Sequence, residues 1–201
     1  QHYSLPTICC KKNRSIKMKI AAQRMAGVDV QNQREKDDFY PTPIFATQSL
    51  LDREKFKGGV WECACGTGKM SEVIKENGYE VFSSDLVDRG YGKTGLDFLK
   101  TNKKVDNIIT NPPFKLGQDF TIHGLKLVNN KLAIFNKLNF LEGIRRKEKI
   151  FSQNKLKNVY VFSKRVSFVK EGQHKSAGGL IAFAWFVFDV KYNGKPTIDW
   201  I

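Results

Sequence analysis

The sequence predicts an α/β fold with a mostly parallel sheet that finishes in an antiparallel C-terminal hairpin. Three observations carry this. From Asp37 onward, short apolar runs alternate with segments of helical spacing. Glycines (Gly66, Gly68) or prolines (Pro112, Pro113) stand where two of those runs end. The last two apolar runs, 158–168 and 180–190, are joined by a loop, "VKEGQHKSAGG", with no helix between them.

The elements follow in order. In "DFYPTPIFATQSLLDREKF", Thr42 is placed to cap a helix that opens on Pro43. Ile44, Thr47, Leu50 and Leu51 recur at helical spacing, and Gly58-Gly59 stops the segment. "VWECACGTGK" is a strand feeding a glycine turn. "KMSEVIKENGY" is a helix with Met70, Val73 and Ile74 on one face and Gly78 as its stop. "EVFSSD" is a strand ending in Asp85, "DRGYGKTG" a loop, and "LDFLK" a short element. "VDNIIT" is a strand and "LGQDFTIHGLKLV" a helix aligning Leu116, Phe120 and Leu127. "KLAIFNKLNF" is a strand, "EGIRRKEKIFSQN" a helix, and the two closing strands make the hairpin. No internal repeat and no second core is visible. Two segments result: a basic arm or short helix over 1–36, and one domain over 37–201.

Composition narrows the function. The chain has 201 residues, 34 Lys and Arg against 20 Asp and Glu, and a formal charge of +14. That excess points to polyphosphate partners. No apolar run reaches the ~18 residues of a membrane helix, and no signal-peptide pattern opens the chain, so a cytoplasmic setting is expected. The cysteines, Cys9-Cys10 and Cys63-x-Cys65, and three scattered histidines do not have zinc spacing. Reduced thiols and no metal are expected.

Glu62-Cys-Ala-Cys-Gly66-Thr-Gly68 lies where the first strand meets its helix, so the backbone can approach a ligand there. Asp85, 17 residues beyond Gly68, suits a ribose diol, because a carboxylate accepts both hydroxyl hydrogens. Neither G-x-G-x-x-G nor a phosphate loop is present, so a nucleoside without a pyrophosphate is expected. At the end of "VDNIIT" stands Asn111-Pro112-Pro113-Phe114. Two consecutive prolines cannot donate to a sheet, so they mark the strand's end.

With these residues assembled, the chain resembles the class I S-adenosylmethionine-dependent methyltransferases, whose sheet is Rossmann-like. Glu62, Gly66 and Gly68 match the family's acid-x-x-x-Gly-x-Gly turn, and Asp85, followed by Leu86, matches the acid ending its second strand. The resemblance places Asp97-Phe98 at the next strand end, near the cofactor adenine. It places Tyr40-Pro41-Thr42 over the methionine end, with Cys63 where proline is common. Asn111-Pro112-Pro113-Phe114 matches the [DNS]-P-P-[YFW] signature of amino-methyltransferases, and Asn111 also borders the cofactor. The nearest resemblance is to small, phage-type N6-adenine DNA methyltransferases, over residues 37–190. It implies S-adenosylmethionine as cofactor, S-adenosylhomocysteine as product, DNA as substrate and a monomer or small homo-oligomer. RNA adenine, a protein glutamine, or binding without catalysis are the other readings.

Chemistry explains the grouping. An adenine amine is a poor nucleophile because its lone pair is delocalised. The Asn111 side-chain carbonyl and the Pro112 backbone carbonyl can accept its two hydrogens, with proline presetting the carbonyl direction. Phe114 can stack on a flipped base. No strong base is needed. Arg145, Arg146, Lys164, Arg165, Lys170 and Lys175 are the candidate phosphate contacts. No room exists for a separate recognition domain, so specificity comes from short loops and the arm, is low, or is supplied by a partner.

Overall fold

A computed structural model describes residues 40–168 and 181–201. The arm, Cys9, Cys10, Lys170, His174 and Lys175 lie outside the described residues. The elements are α1 (Ile44–Leu51), β1 (Val60–Glu62), α2 (Lys69–Glu76), β2 (Val81–Ser83), β3 (Val105–Thr110), α3 (Gly117–Leu127), β4 (Val128–Lys137), α4 (Ile144–Lys149), β5 (Leu156–Val161), β6 (Phe183–Asp189) and β7 (Thr197–Trp200). They form a seven-stranded sheet in the order β2-β1-β3-β4-β6-β5-β7. Parallel pairing joins β1 to β2 and β3, β3 to β4, and β5 to β7, whereas β6 runs antiparallel to both β4 and β5.

The strand order explains why the late strand reads as continuously apolar. β6 lies inside the sheet, paired along Phe183–Asp189 with Lys131–Lys137, and both of its faces are covered. One face carries Phe135, Phe183 and Trp185 against α1 residues such as Ala46 and Leu50. The other carries Ile134, Phe186 and Phe188 against α3 residues such as Phe120 and Leu127. The Trp185 indole N–H, buried with them, donates to the Ala46 carbonyl at 2.7 Å and so avoids an unmade bond.

Several sequence expectations shift. The β5–β6 hairpin does not form the sheet edge, because β7 pairs outside β5. "TIDW" is a short strand exposed at every position and lacks the alternation that would announce it. β5 stops at Val161 and does not run to Phe168. The helix expected over 142–154 shortens to α4 plus a 3-10 turn at Phe151–Gln153, since the chain turns to bury Ile150 completely. In α1 the N-cap is Pro43, itself extended (φ −60°, ψ 142°), and Thr42 lies ahead of the helix without capping it. Ile44 faces solvent, whereas Ala46 and Thr47 join Leu50 and Leu51 in the core. Leu116 leaves the core stripe of Phe120 and Leu127 and borders the cavity described below.

The order reverses at β1, whose successors lie on opposite sides of it. A crevice opens at the carboxyl ends of strands flanking such a reversal. Glu62, Ser84-Asp85 and Asn111 all lie at those ends.

Candidate active site

Between β1 and α2 the chain makes a tight turn whose positive φ favours glycine at two points, Gly66 (φ 54°) and Gly68 (φ 83°). The turn is fastened to the end of β2. Cys65 N–H donates to the Ser84 carbonyl at 3.0 Å, and Gly66 N–H donates to Asp85 Oδ2 at 2.8 Å. Asp85 Oδ1 accepts the Val87 N–H at 3.0 Å. The carboxylate therefore holds two backbone donors, and each oxygen keeps a second lone pair.

Behind the turn Glu62 is buried to 2 % exposure. It accepts a hydrogen bond from the Ser71 hydroxyl, which meets the Ser83 hydroxyl at 2.6 Å. Burial outweighs those bonds and pushes the carboxyl pKa up to about 8, with nearby Asp85 adding to the rise. Burial likewise raises both thiols: Cys65 goes to about 12, and Cys63 rises well above its ordinary range. The Cys65 Sγ donates to the Tyr91 carbonyl at 3.5 Å. Both cysteines stay protonated, so they pack and do not attack.

At the end of β3 the Asn111 Nδ2 donates to the Tyr40 carbonyl at 3.1 Å and to Thr42 Oγ1 at 2.9 Å. A backbone carbonyl can only accept, so the amide nitrogen must face it. The amide is thereby oriented, with Oδ1 left for an incoming donor. The Pro113 carbonyl accepts Leu116 N–H at 2.8 Å. Phe114 is half-buried in a ring cluster with Phe183 (5.5 Å), Tyr40 (6.1 Å, 23° between planes) and Phe168 (6.4 Å). The Lys137 ammonium lies 4.9 Å from its ring centre.

A cavity of about 420 Å³ joins these parts. Tyr40, Pro41, Thr42, Glu62, Cys63, Asp85, Leu86, Asp97, Phe98 and Asn111 all line it, as does Pro113. Gly66 and Gly68 lie within the turn that bounds it, and Pro112 and Phe114 adjoin the lining residues Asn111, Pro113 and Lys115 in sequence without lining it themselves. Asp97-Phe98 does not end a strand. Asp97 caps the 3-10 turn Phe98–Lys100, accepting Leu99 N–H at 3.0 Å and pairing with Lys100 at 3.2 Å. Phe98 stacks on Phe120 at 4.7 Å and is buried.

Sequence reading missed Lys69, Arg89 and Lys115 on the cavity wall and Lys137 over Phe114. Their common signal is position, each following a strand end or turn. Of the candidate phosphate contacts, Arg145, Lys164 and Arg165 are exposed. Arg146 is committed to its own fold: it donates to the Glu142 carbonyl at 2.6 Å and lies 5.5 Å from the Phe140 ring centre. No cluster of metal-ligating side chains occurs among the described residues, and no helix there is long and apolar enough to cross a membrane.

No family model and no curated protein matches the chain. Solved structures do match its fold. A type I restriction-modification methyltransferase subunit from Streptococcus thermophilus superposes with a TM-score of 0.59 at 13% identity, over 80% of this chain and 47% of the other. The chain thus spans about half of that subunit. A provisionally assigned RNA methyltransferase from Pyrococcus horikoshii gives 0.58 at 15% identity over 86% and 98%. A Thermoplasma acidophilum protein gives 0.53 at 15% identity over 74% and 88%. The chain has the Rossmann-like α/β fold of these structures.

Proposed function

We propose that residues 37–201 form an S-adenosylmethionine-dependent methyltransferase domain acting on an exocyclic amine of nucleic acid, the N6 amine of adenine in DNA. The observation that carries this reading is the oriented amide of Asn111. Two acceptors, Tyr40 O and Thr42 Oγ1, hold its nitrogen, so its oxygen faces the substrate side as an acceptor.

The cavity suits the cofactor. Asp85 keeps lone pairs for two hydroxyls, Leu86, Phe98 and Leu99 offer an apolar bed for a purine, and the volume is that of a small-molecule site. Glu62, neutral and buried beside the turn, is placed to ionise against a cationic amine. When bound, S-adenosylmethionine supplies a methyl group on a positively charged sulfur and leaves as S-adenosylhomocysteine.

The chain's residues orient the nucleophile. Asn111 Oδ1 and Pro112 O accept the two hydrogens of the amine and turn its lone pair toward the cavity. Held this way, the amine would take up the methyl group that the cofactor supplies, and its surplus proton would pass to water. Neither carbonyl is a base, and none is required. Alignment supplies the acceleration.

The charge of +14 and the lysines near the cavity, Lys69, Lys115 and Lys137, favour a polyanionic substrate over a protein glutamine. RNA is the second reading, favoured by the near-complete length match to the Pyrococcus horikoshii protein. Transfer of labelled methyl groups to duplex DNA, with N6-methyladenine recovered on hydrolysis, is the expected result. Label that survives DNase and is released by RNase replaces DNA with RNA. Absence of transfer to either overturns the reading.

A further inference from the structure

The loop between Asp85 and Leu96 is held at its ends by the sheet. Asp85 N–H donates to the Lys93 carbonyl at 3.0 Å, Lys93 N–H to the Ser83 carbonyl at 2.9 Å, and Leu96 N–H to the Asp85 carbonyl at 3.2 Å. Its central part carries Leu86, Val87 and Arg89 along the cavity wall. Three glycines, Gly90, Gly92 and Gly95, have positive φ and give this stretch little stiffness of its own. The Tyr91 side chain ties its middle to the glycine turn and α2.

Tyr91 lays its ring flat against Gly68: a β-carbon on Gly68 would overlap three of its ring atoms. Its hydroxyl bonds Glu72 and accepts from Lys75 Nζ at 2.8 Å, so the phenol runs along the first turns of α2. Its carbonyl takes the Cys65 thiol. Gly68, Cys65 and α2 belong to the glycine turn, and the turn's Gly66 is bonded to Asp85 at the root of the same loop. Neither the Tyr91 ring nor Glu72 nor Lys75 borders the cavity.

We infer that Tyr91 is a positioning residue for the cofactor, a latch that fixes the acid-bearing loop onto the glycine turn so that Asp85, Leu86 and Val87 stand ready to receive the adenosine. The inference rests on the cofactor reading above. It assigns Gly68 a second duty: besides its positive φ, the missing β-carbon makes the seat for the ring. The latch acts before the methyl group moves, so it governs binding and leaves the transfer step alone.

The test compares Tyr91→Phe and Tyr91→Ala in the full chain. Calorimetric S-adenosylmethionine affinity should fall about threefold without the hydroxyl and about tenfold or more without the ring. The turnover number at saturating cofactor should stay within about twofold for both, because no group of the transition state has moved. Amide hydrogen exchange on the cofactor-free protein should quicken at Gly66, Val87 and Lys93 in Tyr91→Ala, with the exchange of β3 and β6 unchanged.

Unchanged affinity in both variants overturns the latch, as does an equal loss of affinity, turnover and core protection, which marks a purely structural role. If wild-type protein binds no S-adenosylmethionine, the cofactor reading fails. Exchange at Gly66 then still decides whether Tyr91 fixes the loop, and no quickening there overturns the latch.

Discussion

The side-chain amide of Asn111 donates to the hydroxyl of Thr42 at 2.9 Å, joining positions 69 residues apart. The hydroxyl that sequence reading assigned to a helix cap instead orients the amide. Asn111→Ala is therefore expected to abolish methyl transfer and leave cofactor affinity nearly unchanged. Thr42→Val keeps the shape, removes one of two bonds to Nδ2, and should lower the turnover number by about three- to tenfold. Steady-state kinetics with labelled cofactor measure both. Near-normal turnover in Asn111→Ala would falsify the proposed mechanism.

Asp85 serves the turn and the ligand at once. Asp85→Ala loses the acceptors of Gly66 N–H and Val87 N–H together with the ribose contact. Cofactor binding should weaken by roughly 1–3 kcal/mol for the lost charge-assisted bonds. Asp85→Asn retains one acceptor oxygen and should fall between alanine and wild type. Calorimetry that ranks the three otherwise refutes the assignment.

Glu62 makes stability depend on pH. Its folded pKa of about 8 lies above the ordinary carboxyl value of 4.5. Between these values the folded state holds a proton that the unfolded chain has released. The contribution is whole below pH 4.5 and is lost as pH rises toward 8, at no more than about 1.4 kcal/mol per pH unit. Glu62→Gln should flatten the slope of thermal stability from pH 5 to 8 relative to wild type. Parallel slopes would show that Glu62 is ionised in the fold.

At the opposite end of the sheet the buried Glu54 meets Lys131 Nζ at 2.6 Å, Asn158 Nδ2 at 2.5 Å and the Tyr160 hydroxyl at 2.8 Å. Burial pushes its pKa up, and the bonds from Lys131, Tyr160 and Asn158 more than reverse that, leaving it below 4.5. Its contribution is present above that value and is lost as acid is added, opposite in sign to Glu62. Lys131→Met strands the carboxylate and should cost about 3–5 kcal/mol in denaturant unfolding. Glu54→Gln with Lys131→Met should recover a good part of that loss.

Lys137 tests the substrate class. Lys137→Met removes the ammonium near the Phe114 ring. If the substrate is nucleic acid, its KM should rise and the salt slope of binding should shrink by about one. Cofactor affinity should hold. A salt slope identical to wild type removes Lys137 from the substrate path.

Much of this architecture was legible in the sequence where local chemistry decides the outcome. Gly66, Gly68, Asp85 and the Asn111–Phe114 tetrapeptide announce strand ends, because positive φ and missing N–H groups permit little else. Long-range partners were not legible. Nothing near Thr42 says that its hydroxyl bonds Asn111, and nothing in "TIDW" says that it pairs with β5. Arg146 looked like a phosphate ligand by charge alone, whereas the carbonyls that claim it come from the preceding turn. Tyr91 gave no signal, since only folding brings its ring onto Gly68.

The reversed direction of β6 decides where the chain tolerates a change of length. Because it runs against β5, Phe162 N–H meets the Phe183 carbonyl at 3.2 Å, on the side of the sheet where Lys137 and Asn111 also emerge. The chain is pinned there at Phe162 and Phe183, and Val166 and Phe168 are packed beyond that point, so a change of length between Phe168 and Ile181 leaves every strand's register in place.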